Sequence, residues 1–287
     1  MASDLAEGEE VVVAAVSDDE SERIVKLGSY GGMVRLLLDD DDDDGDDDDA
    51  ASEETMLLWG IQQPTHSKPN AFVSQSSLHL TIDACGHSLS VHQSPSSLIT
   101  PGVTGSVMWD SGIVLGKFLE HAVDSGMLNL QGKKIVELGS GCGLVGCIAA
   151  LLGGQVILTD LPDRLRLLKK NVQVNLDHGN VRGSATVTEL IWGDDPDTEV
   201  IEPLPDFVLG SDVIYSEGAV ADLLETLQQL CGCNTTIMLA GELRNDAILE
   251  YFLKGAMKEF QVGRVDQTQW HPDYNSGRVV LYVLVKK

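Results

Sequence analysis

The chain has 287 residues, of which 43% are hydrophobic, so it is long enough to bury the core of one α/β domain with extensions. Its formal net charge is −26 and it has no clustered basic stretch, so we expect no nucleic-acid partner. No apolar stretch reaches membrane-spanning length and the N-terminal residues are acidic, so we expect no membrane partner and a cytoplasmic or nuclear location. We also expect a monomer.

Most of the negative charge lies in residues 1–54, which hold 20 acids and 3 bases (net −17), whereas the remaining 25 acids and 16 bases give −9. Within this segment ten aspartates flank one glycine in residues 39–49. Such a run repels itself and has no apolar face, so residues 1–54 are predicted to be a disordered acidic tail. The apolar island Val34–Leu38 is predicted to be a short helix or strand. The tail is interpreted either as a solvated segment or as a docking element for a basic partner.

Residues 55–106 are predicted to be an N-terminal extension that contains a β-hairpin. Apolar and polar residues alternate from Leu78 to Val91 around Cys85-Gly86, a pattern typical of two strands joined by a tight turn. A loop rich in proline and glycine follows. Apolar residues at helical spacing then predict a helix over residues 107–122, where the main domain begins.

From residue 134 onward the patterns of strand and helix alternate, which predicts a mostly parallel sheet with helices on both faces. The predicted strands are 134–138, 155–159, 185–191, 206–211, 235–240, 259–264 and 278–285. The predicted helices are 143–152, 163–176, 219–230 and 245–256. No helical pattern separates the final two strands, so the last strand is expected to run antiparallel. The predicted fold class is therefore α/β, with a Rossmann-like seven-stranded sheet in residues 107–287.

A glycine-rich loop follows the first of these strands, in the run K-K-I-V-E-L-G-S-G-C-G-L-V-G from Lys133 to Gly146. Glycines allow a tight turn and a close approach of the backbone to a ligand, and the loop opens a helix whose first N–H groups can bind acceptor atoms. A second apolar strand ends about 20 residues later in Asp160, where a carboxylate can accept both hydroxyls of a ribose. These features predict an adenosine-type ligand. A glycine-rich turn without a ligand is the alternative.

The loop E-L-G-S-G-C-G resembles motif I of the class I methyltransferases, in which the acid, here Glu137, can sit beside the ammonium of S-adenosylmethionine. Dinucleotide sites share the glycines and the distant acid, so NAD is the competing cofactor. The resemblance favours S-adenosyl-L-methionine.

Further motifs resemble one family, the seven-β-strand protein-lysine methyltransferases of family 16, or methyltransferase-like 21 type, from about Leu78 to Lys287. They are G-S-V-M-W-D at residues 105–110, T-D-L at 159–161, N-V-Q-V-N at 171–175, Trp192-Gly193, D-V-I-Y at 212–215, and Arg244 with Glu250. Relatives in this family modify chaperones and translation factors, and the resemblance implies a protein substrate of that kind. The aspartate run is not a feature of the family.

The resemblance also implies roles for individual residues. The implied cofactor-binding residues, together with Glu137, are Trp109, Gly139, Ser140, Gly141, Asp160, Trp192 and Ser211. The implied catalytic residues are Asp212 and Tyr215. Taken alone, Asp212 is more typical of a turn or helix cap than of a catalytic residue, and both tryptophans are more typical of a core than of a cofactor site.

Lysine is a plausible acceptor on physical grounds. A lysine amine attacks a methyl group only when it is deprotonated, and its free pKa is about 10.4, so the site must align the amine and help it lose a proton. Asp212 can hold the incoming amine by a charge-assisted hydrogen bond, and Tyr215 can contact it with its ring or hydroxyl. Two alternatives stay open. One is methylation of a small amine or thiol, and the other is a non-catalytic, acidic-tailed binding module with a vestigial cofactor fold.

The cysteines and histidines indicate no metal site. The five cysteines form no C-x-x-C pair and the seven histidines have no metal-ligand spacing, so we expect reduced thiols and no metal.

Overall fold

The structure is a computed structural model that describes residues 24–38, 50–62, 70–99, 105–177 and 181–287. Its central feature is a twisted sheet whose parallel strands match the predicted alternation. Five strands pair in parallel, namely β5 (Lys134–Leu138), β6 (Gln155–Asp160), β7 (Ser184–Glu189), β8 (Phe207–Ser211) and β9 (Thr236–Glu242). The strands β10 (Phe260–Val265) and β11 (Val279–Lys286) complete the predicted seven. Strand β11 runs antiparallel between β9 and β10, which confirms the prediction for the last strand.

Helices cover both faces of this sheet, because the central strands β5, β8 and β9 are buried on both sides. On one face lie α2 (Asp110–Asp124), α3 (Leu144–Leu151) and α4 (Leu165–Leu176), and on the other lie α6 (Glu217–Leu230) and α7 (Asp246–Glu259). The short helix α5 (Thr198–Ile201) precedes β8. Alternate residues of β5 supply the two cores, with Ile135 on one side and Val136 on the other, and both are fully buried. The Rossmann-like α/β prediction is confirmed.

The strand order β10-β11-β9-β8-β5-β6-β7 reverses direction at β5, which has β6 on one side and β8 on the other. The connections that follow β5 and β8 therefore leave the sheet in opposite directions, and the carboxyl ends of these two strands flank a crevice. Open α/β sheets bind ligands at this topological switch point.

The prediction of a disordered tail over residues 1–54 is wrong for part of this segment. Strands β1 (Ile24–Leu27) and β2 (Tyr30–Leu37) form a hairpin, and β2 pairs antiparallel with β10, so the sheet has nine strands. Tyr30 and Val34 are buried in the core. The rest of the predicted tail, residues 1–23 and the aspartate run 39–49, lies outside the described residues.

Helix α1 (Ala50–Gln62) crosses the predicted boundary at residue 54 and packs against α7 and β2. The buried carboxylate of Glu54 explains how this helix is held. It forms an ion pair with Arg264 of β10 at 2.7 Å and accepts a hydrogen bond from the Tyr282 hydroxyl of β11 at 3.2 Å. Helix α1, with which the predicted N-terminal extension begins, is therefore an integral part of the main domain.

The hairpin predicted at Leu78–Val91 is confirmed as β3 (His79–Ala84) and β4 (His87–His92). Its two turn residues both have positive φ, +53° at Cys85 and +73° at Gly86, as two-residue hairpin turns require. The hairpin forms a separate two-stranded sheet, anchored to α4 by two asparagines. Asn171 exchanges hydrogen bonds of 2.9 and 3.0 Å with the His92 backbone, and Asn175 exchanges bonds of 2.7 and 2.9 Å with Ser90.

Within the described residues, no helix combines the length and apolar character needed to cross a bilayer. All five cysteines are unpaired thiols, as predicted.

Candidate functional site

A cavity of about 430 Å³ opens at the switch point, between the carboxyl ends of β5, β6 and β8. Its volume lies in the range usual for small-molecule and cofactor sites. All ten predicted site residues line it, namely Trp109, Glu137, Gly139, Ser140, Gly141, Asp160, Trp192, Ser211, Asp212 and Tyr215.

The glycine loop forms one wall of the cavity, and two of its glycines are required by close contacts. Gly139 and Gly141 have φ values of +59° and +54°, which side chains other than glycine adopt at a cost. A Cβ atom on Gly139 would lie 3.2 Å from the Trp192 ring, and one on Gly141 would lie 3.0 Å from the Gly105 carbonyl oxygen. The loop therefore exposes its backbone to the cavity, with no side chain between.

Asp160 faces the loop from the end of β6. Its Oδ2 accepts a hydrogen bond from the Gly141 N–H at 2.7 Å, and its Oδ1 accepts one from the Leu161 N–H at 2.8 Å. Burial raises the pKa of this carboxyl, although the two N–H donors oppose the shift. A carboxylate can accept about four hydrogen bonds, so Asp160 keeps the capacity to accept two ribose hydroxyls.

Glu137, at the end of β5, is the most buried acid of the site, with 1% of its surface exposed. Its Oε2 accepts a hydrogen bond from the Gly146 N–H at 3.1 Å in the first turns of α3. Burial raises the pKa of Glu137 to about 8. A cationic ligand group beside this carboxyl would favour its ionised form.

Aromatic and apolar side chains form the mouth of the cavity. The rings of Trp192 and Tyr215 lie 6.2 Å apart at 47°, and Tyr215 is half exposed. Leu161 and Ile191, which follow the ends of β6 and β7, are also exposed at 44% and 45%. These two apolar residues were not predicted as site residues, but their place within two residues of a strand end is a signal that could have found them.

Asp212 directly follows β8 and has a φ of +61°, in the left-handed region. Its Oδ2 accepts a hydrogen bond from Arg244 Nη2 at 2.6 Å, and its Oδ1 accepts one from the Glu242 N–H at 3.3 Å. A non-glycine residue in this conformation costs about 1–3 kcal/mol and persists where its surroundings hold it. These bonds fix the carboxylate beside the cavity.

Arg244 is the main residue whose place the sequence did not predict. Its guanidinium lies 4.2 Å from the centre of the Trp109 ring and also forms an ion pair with Glu242 at 3.3 Å. Trp109 is thus both a cavity wall and a stacking partner. Glu250, which the same motif contains, lies instead on α7, where it pairs with Lys254 at 2.9 Å, outside the residues that line the cavity.

Among the described residues, no group of three or more His, Cys, Asp or Glu side chains has the arrangement of a metal site.

The comparison with known families agrees with this geometry. Residues 92–259 match the model of a family described as lysine methyltransferase, and this match covers more than half of the chain. This chain belongs to the lysine methyltransferase family. The match includes every predicted site residue, from Trp109 to Tyr215.

Curated relatives of this methyltransferase include mouse protein N-lysine methyltransferase METTL21A, which is 40% identical over 64% of this chain and 80% of its own length. Mouse EEF1A lysine methyltransferase 3 is 41% identical over 59% of this chain and 68% of its own length. The Xenopus tropicalis protein of the same name is 33% identical over 69% and 83%. The predictions of a protein-lysine methyltransferase, of S-adenosylmethionine as its methyl donor and of a protein substrate are confirmed.

The residues present fit S-adenosylmethionine. The loop at Gly139 and Gly141 presents backbone without side chains to the cavity, Asp160 offers acceptors for a ribose, and Leu161 and Ile191 offer apolar surface for a base. The structure brings the predicted residues to one cavity, whereas the role of each stays a prediction.

Proposed function

We propose that this cavity is the methyl-transfer site, and that a lysine of a protein substrate enters past Tyr215 to meet Asp212. The observation that supports this most directly is the convergence of Asp160 and Asp212 on one cavity, from strands on opposite sides of β5. In this proposal Asp160 binds the ribose, the glycine loop and Glu137 bind the methionine part, and Leu161 and Ile191 hold the adenine.

When bound, S-adenosylmethionine supplies an electrophilic methyl group on a positively charged sulfur. The lysine nitrogen forms the new bond to the methyl carbon, the carbon–sulfur bond breaks with its electron pair passing to sulfur, and the amine loses one proton to solvent. Direct transfer of this kind needs no enzyme nucleophile, so alignment of the amine supplies most of the acceleration.

Two side chains are placed to align the amine. The Asp212 carboxylate can accept a hydrogen bond from the amine, because its two known donors leave lone pairs unused. The half-exposed ring of Tyr215, inclined to Trp192, offers an aromatic surface for the lysine stem and head. Closure of a protein surface over these rings would exclude water, which disfavours the charged form of the amine.

For the substrate we propose a translation factor of the elongation factor 1A type, with chaperones as the second class to test. Two relatives at 33% and 41% identity carry EEF1A in their names, which makes this factor the first candidate. The exposed mouth at Tyr215 suits a lysine on the surface of a folded protein better than a small metabolite, which a closed pocket would hold.

The test is methyl transfer from radiolabelled S-adenosylmethionine to purified elongation factor 1A and, separately, to a cell lysate. We expect label on a single lysine, located by mass spectrometry. Asp212→Ala, which removes the hydrogen-bond acceptor, should lower transfer by at least ~10²-fold, as expected for loss of a positioning group. Asp177→Ala, at the exposed end of α4, is the matched control and should not change it. Wild-type turnover by Asp212→Ala would refute the acceptor site, and label on small molecules alone would refute the protein substrate.

A further inference from the structure

Four charged side chains form a linked group beside the acceptor end of the cavity. Asp212 pairs with Arg244 at 2.6 Å, Arg244 with Glu242 at 3.3 Å, and Glu242 with Arg278 at 3.3 Å. Both carboxylates are buried, with 8% and 2% of their side chains exposed, whereas the guanidiniums are 34% and 21% exposed. Two negative and two positive charges cancel, so the group is neutral as a whole.

This neutrality bears on a conflict in the chemistry of the site. A carboxylate next to an incoming lysine orients the amine, but it also stabilises the protonated ammonium, which cannot react. A buried carboxylate without a counter-charge would do so strongly, because charge interactions are stronger where water is excluded. The site therefore needs the hydrogen-bond acceptor of Asp212 without its full negative charge.

We infer that Arg244 is a positioning residue that neutralises Asp212, so that Asp212 orients the acceptor amine without stabilising its protonated form. This inference rests on the proposed transfer site. Arginine suits the role because it stays charged at all accessible pH values and its planar group can stack and form ion pairs at the same time. The Trp109 ring at 4.2 Å and the Glu242 carboxylate hold the guanidinium in place from two further sides.

The charged groups around Asp212 come from several elements. Glu242 lies at the end of β9 and Arg278 lies just before β11. Helix α2 contributes Asp110, a buried acid whose oxygens accept the N–H groups of Ala71 and Phe72 at 2.6 and 3.1 Å. Asp222 of α6 and Tyr215 also line the cavity. Because most of these neighbours are acids, the charge of Asp212 is balanced mainly by Arg244, the cation that contacts it directly.

The test is the pH dependence of kcat, which reports the ionisation of the bound lysine. The Arg244→Gln variant should shift the midpoint of the rising limb upward by about one pH unit or more, since a carboxylate near a lysine raises the lysine pKa by this order. Its kcat should be low at pH 7.5 and approach the wild-type value at high pH, with a KM that does not rise. Arg166→Gln, which removes an exposed arginine of α4, is the matched control and should leave the profile unchanged.

Two further variants separate charge from packing. Arg244→Lys keeps the charge but loses the planar stack, so its midpoint should stay near that of the wild type even if its kcat is lower. The double variant Arg244→Gln with Asp212→Asn removes both charges and keeps a hydrogen-bond acceptor, so the midpoint of its pH profile should return toward the wild-type value. Melting curves and S-adenosylmethionine affinity of each variant report whether the fold is retained.

The outcomes distinguish the inference from the proposed function beneath it. A slow Asp212→Ala enzyme together with an Arg244→Gln midpoint equal to that of the wild type would overturn the role of Arg244 and leave the transfer site standing. A fully active Asp212→Ala enzyme would refute the transfer site itself. If Arg244→Gln fails to fold, a shifted midpoint in Arg244→Lys would also contradict the inference, because the charge is retained there.

Discussion

Asp160 Oδ2 accepts a hydrogen bond from the Gly141 N–H at 2.7 Å, so the acid that ends β6 holds the glycine loop that follows β5. The two residues are 19 positions apart, and β5 and β6 bring them together as parallel neighbours. The residue predicted to bind the ribose therefore also fixes the loop that faces the methionine part. Cofactor affinity and loop order depend on the same carboxylate.

Asp160→Ala should weaken S-adenosylmethionine binding by about 1.5–3 kcal/mol, the range for hydrogen bonds to charged groups. It should also lower the melting temperature without cofactor, because the Gly141 N–H loses its partner. Calorimetric titration and thermal melts measure the two effects. Asp163→Asn, an exposed acid three residues on, is the matched control. Unchanged affinity in Asp160→Ala would remove this residue from the ribose site.

S-adenosylmethionine, or its demethylated product, should raise the stability of the folded chain by about 2.7 kcal/mol at a hundredfold excess over its dissociation constant. NAD at the same concentration should not, because no second nucleotide has a place in the proposed arrangement. Thermal melts with each ligand measure the difference. A melting temperature that rises with NAD but not with S-adenosylmethionine would contradict the cofactor assignment.

Replacement of Tyr215 should separate the contributions of its ring and hydroxyl. Tyr215→Phe keeps the ring beside Trp192, whereas Tyr215→Ala removes it and opens the mouth to water. We therefore expect Tyr215→Ala to lose considerably more methyl transfer than Tyr215→Phe, with cofactor affinity within a few-fold of the wild type in both. Steady-state kinetics with the protein substrate and radiolabelled S-adenosylmethionine measure the loss in each variant. An equal loss in both variants would assign the role to the hydroxyl.

The sequence predicted those parts of the site that local patterns determine. The positions of Gly139, Gly141 and Asp160 follow from a strand, a tight turn and a second strand, all within 30 residues. Parallel pairing then places strand ends at one edge, so Asp212 was expected near them. By contrast, the contact of Arg244 with Asp212 and Trp109 depends on side-chain directions across three elements, which hydrophobic periodicity does not specify.

The N-terminal hairpin was missed for a related reason. Its strand β2 pairs with β10, some 225 residues later in the chain, and such a pairing leaves no local signature. The neighbouring aspartate run also dominated the composition of the segment, so the buried Tyr30 was assigned to a tail. Only the island at Val34–Leu38 indicated that this segment contains structure.

The hairpin should contribute measurably to stability. Val34 is fully buried against Gly263, so Val34→Ala should lower the free energy of unfolding by about 2 kcal/mol through lost burial and a residual cavity. Met33→Ala, on the exposed face of the same strand, should change it by about 0.5 kcal/mol or less. Denaturant unfolding monitored by circular dichroism compares the two. Equal stability of both variants would mean that the strand does not pack against the core.

Glu137 should make stability depend on pH in a defined window. Burial raises its pKa from 4.5 to about 8 in the folded chain, so between these values the folded chain keeps a proton that the unfolded chain has lost. Stability should therefore fall as pH rises through this window, by at most about 1.4 kcal/mol per pH unit from this group. Glu137→Gln should remove that slope, whereas Glu189→Gln at an exposed strand end should not. Urea unfolding at pH 5, 6.5 and 8 measures this dependence of stability on pH. The same dependence in the wild type and in Glu137→Gln would exclude Glu137 as its source.

Strand β2 also covers the hydrogen-bonding edge of β10, so that among the described residues the sheet ends on this side with β1. That last strand is only four residues long and carries the exposed Lys26. Short, charged edge strands resist pairing with strands of other molecules. A chain shortened to begin after the aspartate run would instead present the backbone of β10 as an open edge beside the apolar Val262 and Val265, and we expect it to self-associate. We therefore expect the hairpin to protect the enzyme against aggregation, in addition to its contribution to the stability of the fold.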